Sequence, residues 1–191
     1  MSSILLTGPA FEPITLAETK AYLRVEHNDD DDVIAALIAG ARVHVEAQTR
    51  RALITQTWRL TRDVWPVDGR MLILPAPLRQ LVAARIIKPD GTAQAIAPSA
   101  FTIDRAGAPA ILAFSPGSLP VSGRPVAGVE LDIEVGYGDA SMDVPQPLRQ
   151  AIKLLVAHWY ENRGVTAIAH EVTVLPLTAS ALLAPYRVLA L

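Results

Sequence analysis

The sequence predicts an α+β protein, with helical ends around an inserted antiparallel β region and an extended C-terminal tail. Three observations carry this. Apolar residues recur with a period near 3.6 within residues 14–52 and again from Val144. Between residues 57 and 135 the period shortens to two, and most of the 15 prolines lie in or beside that stretch. From Val165 to Leu191 the only formally charged residues are Glu171 and Arg187. The expected division is an N-terminal helical part at 1–56, a β insertion at 57–138, a long core helix within 139–164 and a tail at 165–191.

The first helix starts at a capping box. Thr15 and Glu18 have the spacing at which each can satisfy an orphan backbone donor, and the helix should run to about Val25. The acidic run Asp29–Asp32 precedes a second helix with Ile34, Leu37, Ile38, Ala41 and Val45 on one face. It ends near Thr49–Arg51, where basic residues suit a helix C-terminus. In the β region, Trp58, Leu60 and Val64 alternate with polar residues, and Met71–Leu74 forms a short strand stopped by Pro75 and Pro77. Val82–Ile87 runs into the turn Lys88-Pro89-Asp90-Gly91, which predicts a hairpin. Phe101–Ile103 and Ile111–Phe114 flank another Gly/Pro turn. In the final strand Val129, Leu131, Ile133 and Val135 face one way and Glu130, Asp132 and Glu134 the other, which predicts one buried and one wet face. Residues 115–128 read as an exposed loop. Pro145 and Pro147 start the next helix, whose apolar stripe runs Leu148, Ala151, Ile152, Leu155, Val156, Trp159, with Gly164 placed as its C′ residue. A short helix at about Ala179–Ala184 is limited by Pro185.

Composition narrows the function. The 191 residues suffice for a sizeable core, and 51% hydrophobic content favours folding over disorder. A net charge of −2 lacks the basic excess of a sequence-independent DNA binder. The absence of cysteine excludes disulfides, zinc-thiolate sites and thiol nucleophiles, and fits a cytoplasmic origin. The run Ile4-Leu5-Leu6 has no basic residues before it and is too short for a signal peptide, and no segment approaches a membrane span.

No candidate catalytic or metal constellation emerges. Asn28–Asp32 has a carboxylate density that suits calcium or magnesium, but it lacks the ligand spacing and glycine turn of an EF-hand, so a negatively charged helix start is the expected role. His27, His44, His158 and His170 have no helical metal spacing, and Ser115 and Ser180 sit in ordinary turn or capping contexts. Gly136-Tyr137-Gly138 fits neither the Walker loop nor the dinucleotide fingerprint. Trp159 reads as core. Tyr160 and Arg163, on another helical face, have the composition of an interface hot spot and are candidates for a subunit contact. Arg42, Arg50 and Arg51 cluster near one helix end and keep a DNA-binding module open as the alternative.

Three stretches resemble the phage head–tail connector family, the gp6-like or gp8-like adaptors of long-tailed phages. They are TLAETKAYLRVEHNDDDDVIAALIAGARVHVEAQTRRALITQTW at 15–58, LPAPLRQL at 74–81, and VPQPLRQAIKLLVAHWYENRG at 144–164 followed by LTASALLAPYR. The adaptors of gene transfer agents are a similar subgroup. The resemblance implies a mainly helical adaptor core with a β insertion, and the residues themselves lead to no expectation of enzymatic activity or cofactor. It implies a ring, a dodecamer, docked beneath a portal protein in a virion or phage-like particle and made in the bacterial cytoplasm. A head-closure (stopper) or tail protein would lie below, and double-stranded DNA would pass through without sequence recognition. With that implication, the apolar tail becomes a portal-binding segment, whose expected residues are Leu182, Leu183, Tyr186, Arg187, Val188, Leu189 and Leu191. A short helix limited by Pro185 is not stable alone, and a free VLAL end gains nothing from water.

Overall fold

The computed structural model describes residues 2–162 and 177–189. The chain divides into two compact units. One takes residues 2–9 and 55–137, the other residues 10–54 and 138–189.

The first unit is all β. It holds eight strands: β1 (Ser2–Thr7), β2 (Gln56–Arg62), β3 (Arg70–Ile73), β4 (Leu78–Ile87), β5 (Ala93–Ile96), β6 (Thr102–Asp104), β7 (Ala110–Ala113) and β8 (Val129–Val135). They form a five-stranded sheet in the order β1-β2-β8-β4-β5 and a three-stranded sheet in the order β3-β7-β6, antiparallel throughout. The alternation of β8 is realised: Val129, Leu131, Ile133 and Val135 are buried, beside Leu60 of β2 and Ala84 and Ile86 of β4. The small sheet buries Met71, Ile73, Ala110 and Leu112. Trp65, Phe101 and Phe114 form an aromatic cluster with centroids 5.3–6.0 Å apart, a spacing at which tilted and edge-on rings attract.

The expected hairpin is present between β4 and β5. Lys88 and Thr92 close it through an N–H···O=C bond of 2.9 Å, the Gly91 N–H donates to Lys88 O, and Asp90 accepts from both the N–H and the hydroxyl of Thr92. Gly91 has φ 85°, where a side chain would be strained. β4 begins at Leu78, earlier than alternation indicates. Register shifts at Leu78/Gln80 and Leu81/Ala83 break the period of two and leave Val82 exposed. Loop 115–128 is partly exposed, but it is pinned where the Trp65 indole donates to Pro120 O at 3.0 Å and where Leu119 and Ser122 are buried.

The face of β8 expected to be wet is instead closed by ion pairs. Asp132 accepts from Arg59 Nε at 2.7 Å and Nη2 at 3.1 Å, and from Arg85 Nη2 at 2.9 Å. Arg85 Nε reaches Glu130 at 2.7 Å, and Arg79 Nε reaches Glu134 at 3.2 Å. Cross-strand register produces this ladder, because Arg59 faces Asp132 and Arg85 faces Glu130 across β8. Burial pushes the Asp132 carboxyl up, but the hydrogen bonds and charges of Arg59 and Arg85 outweigh it and hold the group below the ordinary carboxylate range.

The second unit is helical: α1 (Leu16–Leu23), α2 (Asp31–Thr49), α3 (Gln146–Glu161) and α4 (Leu177–Leu183), with α4 followed by a 3₁₀ turn at Ala184–Tyr186. Ile34, Ile38, Ala41 and Val45 of α2 are buried, as are Leu148, Ala151, Ile152, Leu155 and Val156 of α3. Helix α3 packs against both α2 and α4. Its expected stripe is realised except at Trp159, which is half-buried, stands edge-on to His44 at 5.9 Å and lies over Gly40. Gly164 lies outside the described residues.

The expectation of a mainly helical core is corrected. Helix and strand contribute 34% and 28% of the described residues, so the fold is mixed α+β. Strand β1, which alternation does not reveal, adds to the β share. Thr15 does cap α1, accepting the Glu18 N–H at 3.1 Å. The Glu18 carboxylate, expected to complete the capping box, is taken instead by Arg149 and Lys153 of α3. A tight turn precedes α3, where Asp143 Oδ2 accepts the Ala140 N–H at 2.9 Å and a Cβ on Gly138 would overlap the Asp143 side chain. Gly138→Ala should therefore lower stability by about 1–3 kcal/mol, the usual cost of overpacking. A urea titration against wild type checks this.

Candidate assembly interface

Most polar groups singled out in the helical unit serve its internal structure. Lys20 of α1 reaches Asp31 Oδ1 and Asn28 Oδ1, both at 2.6 Å. The Asp30 side chain does not cap α2. It accepts instead from the Tyr160 hydroxyl at 2.5 Å. The acidic run thus places Asp31 and Asp32 in the first turn of α2 and links that turn to α1 and α3. Tyr160, the candidate subunit contact, is half-buried in this arrangement. Its companion Arg163 lies outside the described residues, as does His170. His27 is exposed, 3.9 Å from Asp29, and His158 lies near Asn162.

The arginines of the DNA-binding alternative are largely engaged. Arg42 sits between Glu12 and Glu46, 2.8 Å from each carboxylate. Arg51 donates from Nε to Tyr186 O at 2.7 Å, with its guanidinium 6.0 Å from the Tyr186 ring centroid. Arg50 is the left-handed C-cap of α2. An open groove of about 440 Å³ is lined by Phe11, Ile14, Leu16 and Ile38, and its one titratable group, Glu12, is held by Arg42. Among the described residues, no group of three or more His, Asp or Glu is arranged to hold a metal. None of the described helices is long and apolar enough to cross a membrane.

The tail segment divides by exposure. Leu183 is 0% and Val188 4% exposed, buried in their own unit beside Ala179. The Val188 N–H donates to Thr49 O at 3.0 Å, which anchors the segment at the C-terminal end of α2. Leu182 and Tyr186 are half-buried, Arg187 is exposed, and Leu189 is 87% exposed. Leu177, at the start of α4, is 83% exposed. Leu191 lies outside the described residues. Leu183 and Val188, both expected among the portal-binding residues, thus pack within their own unit. Their burial depends on α3 and α2 lying beside them, which no local pattern encodes.

Residues 13–84, spanning α1, α2 and the first strands of the insertion, match the profile of the phage gp6-like head-tail connector proteins. The resemblance drawn from the sequence is borne out. Over its full length the chain superposes on a chain from the virion of a native gene transfer agent (GTA) particle, with a TM-score of 0.83, 24% identity and 97% of that chain covered. A chain from the neck of an empty GTA particle, computed with C6 symmetry, gives 0.83, 23% and 97%. One from the neck of the native GTA particle, computed with C12 symmetry, gives 0.80, 24% and 97%. At these identities the likeness is one of fold. No curated protein matches the chain significantly.

Proposed function

We propose that this protein is the head–tail connector of a tailed phage or gene transfer agent, a structural adaptor that forms a ring below the portal and joins capsid to tail. The match of residues 13–84 to the connector profile carries this reading, and the full-length likeness to GTA neck chains supports it. The C12 neck supports a twelve-membered ring, with two different complementary patches on each subunit. A stopper or tail protein would dock below, and DNA would pass through the ring without sequence recognition. The role is assembly rather than catalysis.

Portal docking is proposed for the surface formed by Leu182, Tyr186, Arg187 and Leu189, with Leu191 beyond them. Leu183 and Val188 hold this surface in place from beneath. Tyr160 and Arg163 remain the proposed subunit contact. The Tyr160–Asp30 bond would then orient the aromatic ring rather than replace the contact. No observation favours the DNA-binding alternative, since Arg42 is neutralised by two carboxylates.

Deleting the gene in the producing strain should yield DNA-filled heads that carry portals but no tails. Restoring the protein should return tails, with about twelve copies per head by quantitative mass spectrometry. Normal tailing in the deletion strain, or a single copy or two-fold dimer at the neck, would overturn the reading.

A further inference from the structure

The five-stranded sheet distributes charge opposite to the usual pattern. Its three inner strands carry all of it: Arg59 and Arg62 on β2, Glu130, Asp132 and Glu134 on β8, Arg79 and Arg85 on β4. The two edge strands, β1 (SSILLT) and β5 (AQAI), carry none and contain no proline. Edge strands present unpaired N–H and C=O groups, and proteins that keep such edges unpaired place lysines, prolines or inward charges on them. Among the described residues, β1 pairs only with β2, and β5 only with β4. Every residue of β1 is exposed, including the consecutive Ile4, Leu5 and Leu6, of which Ile4 opposes Arg59 and Leu5 opposes Trp58. Three apolar side chains beside an open hydrogen-bonding edge suit another strand better than they suit water.

We propose that the β1 edge of one subunit pairs with the β5 edge of the next copy of this chain, extending the sheet from subunit to subunit around the ring. The proposal rests on the ring reading above. Head-to-tail closure needs two different surfaces per subunit, and one open sheet supplies two different free edges. Strand direction alternates along β1-β2-β8-β4-β5, so β1 and β5 point the same way. A rotation about an axis along the strands therefore brings them together as a parallel pair. A two-fold dimer would instead pair β1 with β1 antiparallel. The side chains of both edges are compatible with close approach, since β5 presents the small residues Ala93 and Ala95 to the bulkier Ile4 and Leu6.

The absence of native cysteine makes a direct test clean. Neighbouring strands lie about 4.8 Å apart, which is within the Cα separation that a disulfide spans. Ser3→Cys or Ile4→Cys on β1 would be combined with Gln94→Cys or Ala95→Cys on β5, all four being exposed positions. Complete particles carrying each double or single variant would be purified, oxidised and run without reductant. At least one double variant should give a ladder from dimer upward, collapsed by reductant, while every single variant stays monomeric. Dimers from Ser3→Cys or Ile4→Cys alone would show two-fold β1 pairing and overturn the proposal. Connector retained in the particles with no ladder in any double variant would overturn it while leaving the connector reading intact. Wild-type particles that lack the protein would overturn both.

Discussion

Leu183→Ala and Leu189→Ala should have opposite effects, although both replace a leucine in the same short tail. Leu183 is a fully buried residue of α4, the helix that packs against α3, so truncation leaves a cavity and should cost about 2–5 kcal/mol. Leu189 is exposed, so its truncation should leave stability within about 0.5 kcal/mol of wild type. Attachment to portal-bearing heads should show the reverse for Leu189→Ala: a folded protein that binds weakly. Urea unfolding of the purified protein and co-sedimentation with heads separate the two. If Leu189→Ala attaches normally, the exposed tail surface is not the portal contact. If Leu183→Ala unfolds like wild type, the tail does not belong to the helical core.

The second large effect belongs to Asp132. Removing its carboxylate in Asp132→Ala leaves Arg59 without its bidentate partner and Arg85 dependent on Glu130 alone. Breaking a fully buried pair costs about 3–5 kcal/mol. Because the two guanidiniums are partly exposed, about 2–3 kcal/mol is expected here. The wild-type carboxyl lies below the ordinary range when folded, so its contribution is complete above the unfolded pKa of about 4 and is lost as pH falls through the lower folded value. Glu18 follows the same sign, lowered first by the hydrogen bond from Lys153 and, against the opposing effect of burial, by the charge of Arg149. Stability measured in urea should therefore be flat near neutrality and fall steeply below about pH 4. The fall should be shallower in Asp132→Ala. A variant with unchanged midpoint and unchanged acid limb would show the ladder to be energetically idle.

Much of this was legible from the residues. The periods of 3.6 in α2 and α3 and of two in β8 identified their buried faces because a single helix or strand displays its periodicity within its own length. The Lys88–Gly91 turn was legible for the same local reason. Strand β1 was not, because Ile4-Leu5-Leu6 does not alternate and neither of its faces is buried. The polar face of β8 was misread as wet because the arginines that close it come from β2 and β4, brought there only by register. Glu18 was assigned to its own helix start, whereas the stronger donors, Arg149 and Lys153, lie some 130 residues along the chain. The resemblance to the connector family was legible in α1, α2 and the α3 segment together, and the profile match covers the first two of these. The division of the tail between buried and exposed residues was not, since it depends on which helix lies beneath.

The pairing of Gln56 with Val135 at the ends of β2 and β8, and the bridge of Ile54 with Gly138 just outside them, also bear on how the chain folds. The helical core is made of two segments separated by about 80 residues, and closing so long a flexible loop is entropically unfavourable. Once β2 and β8 are zipped, however, the chain leaves and re-enters side by side, and the separation becomes equivalent to a few residues. The closure entropy saved is on the order of 2–3 kcal/mol. Folding during synthesis should therefore be ordered. The sheet would form first as the nascent chain passes Val135, and α2 would wait for α3 to emerge from the ribosome before finding its packing partner.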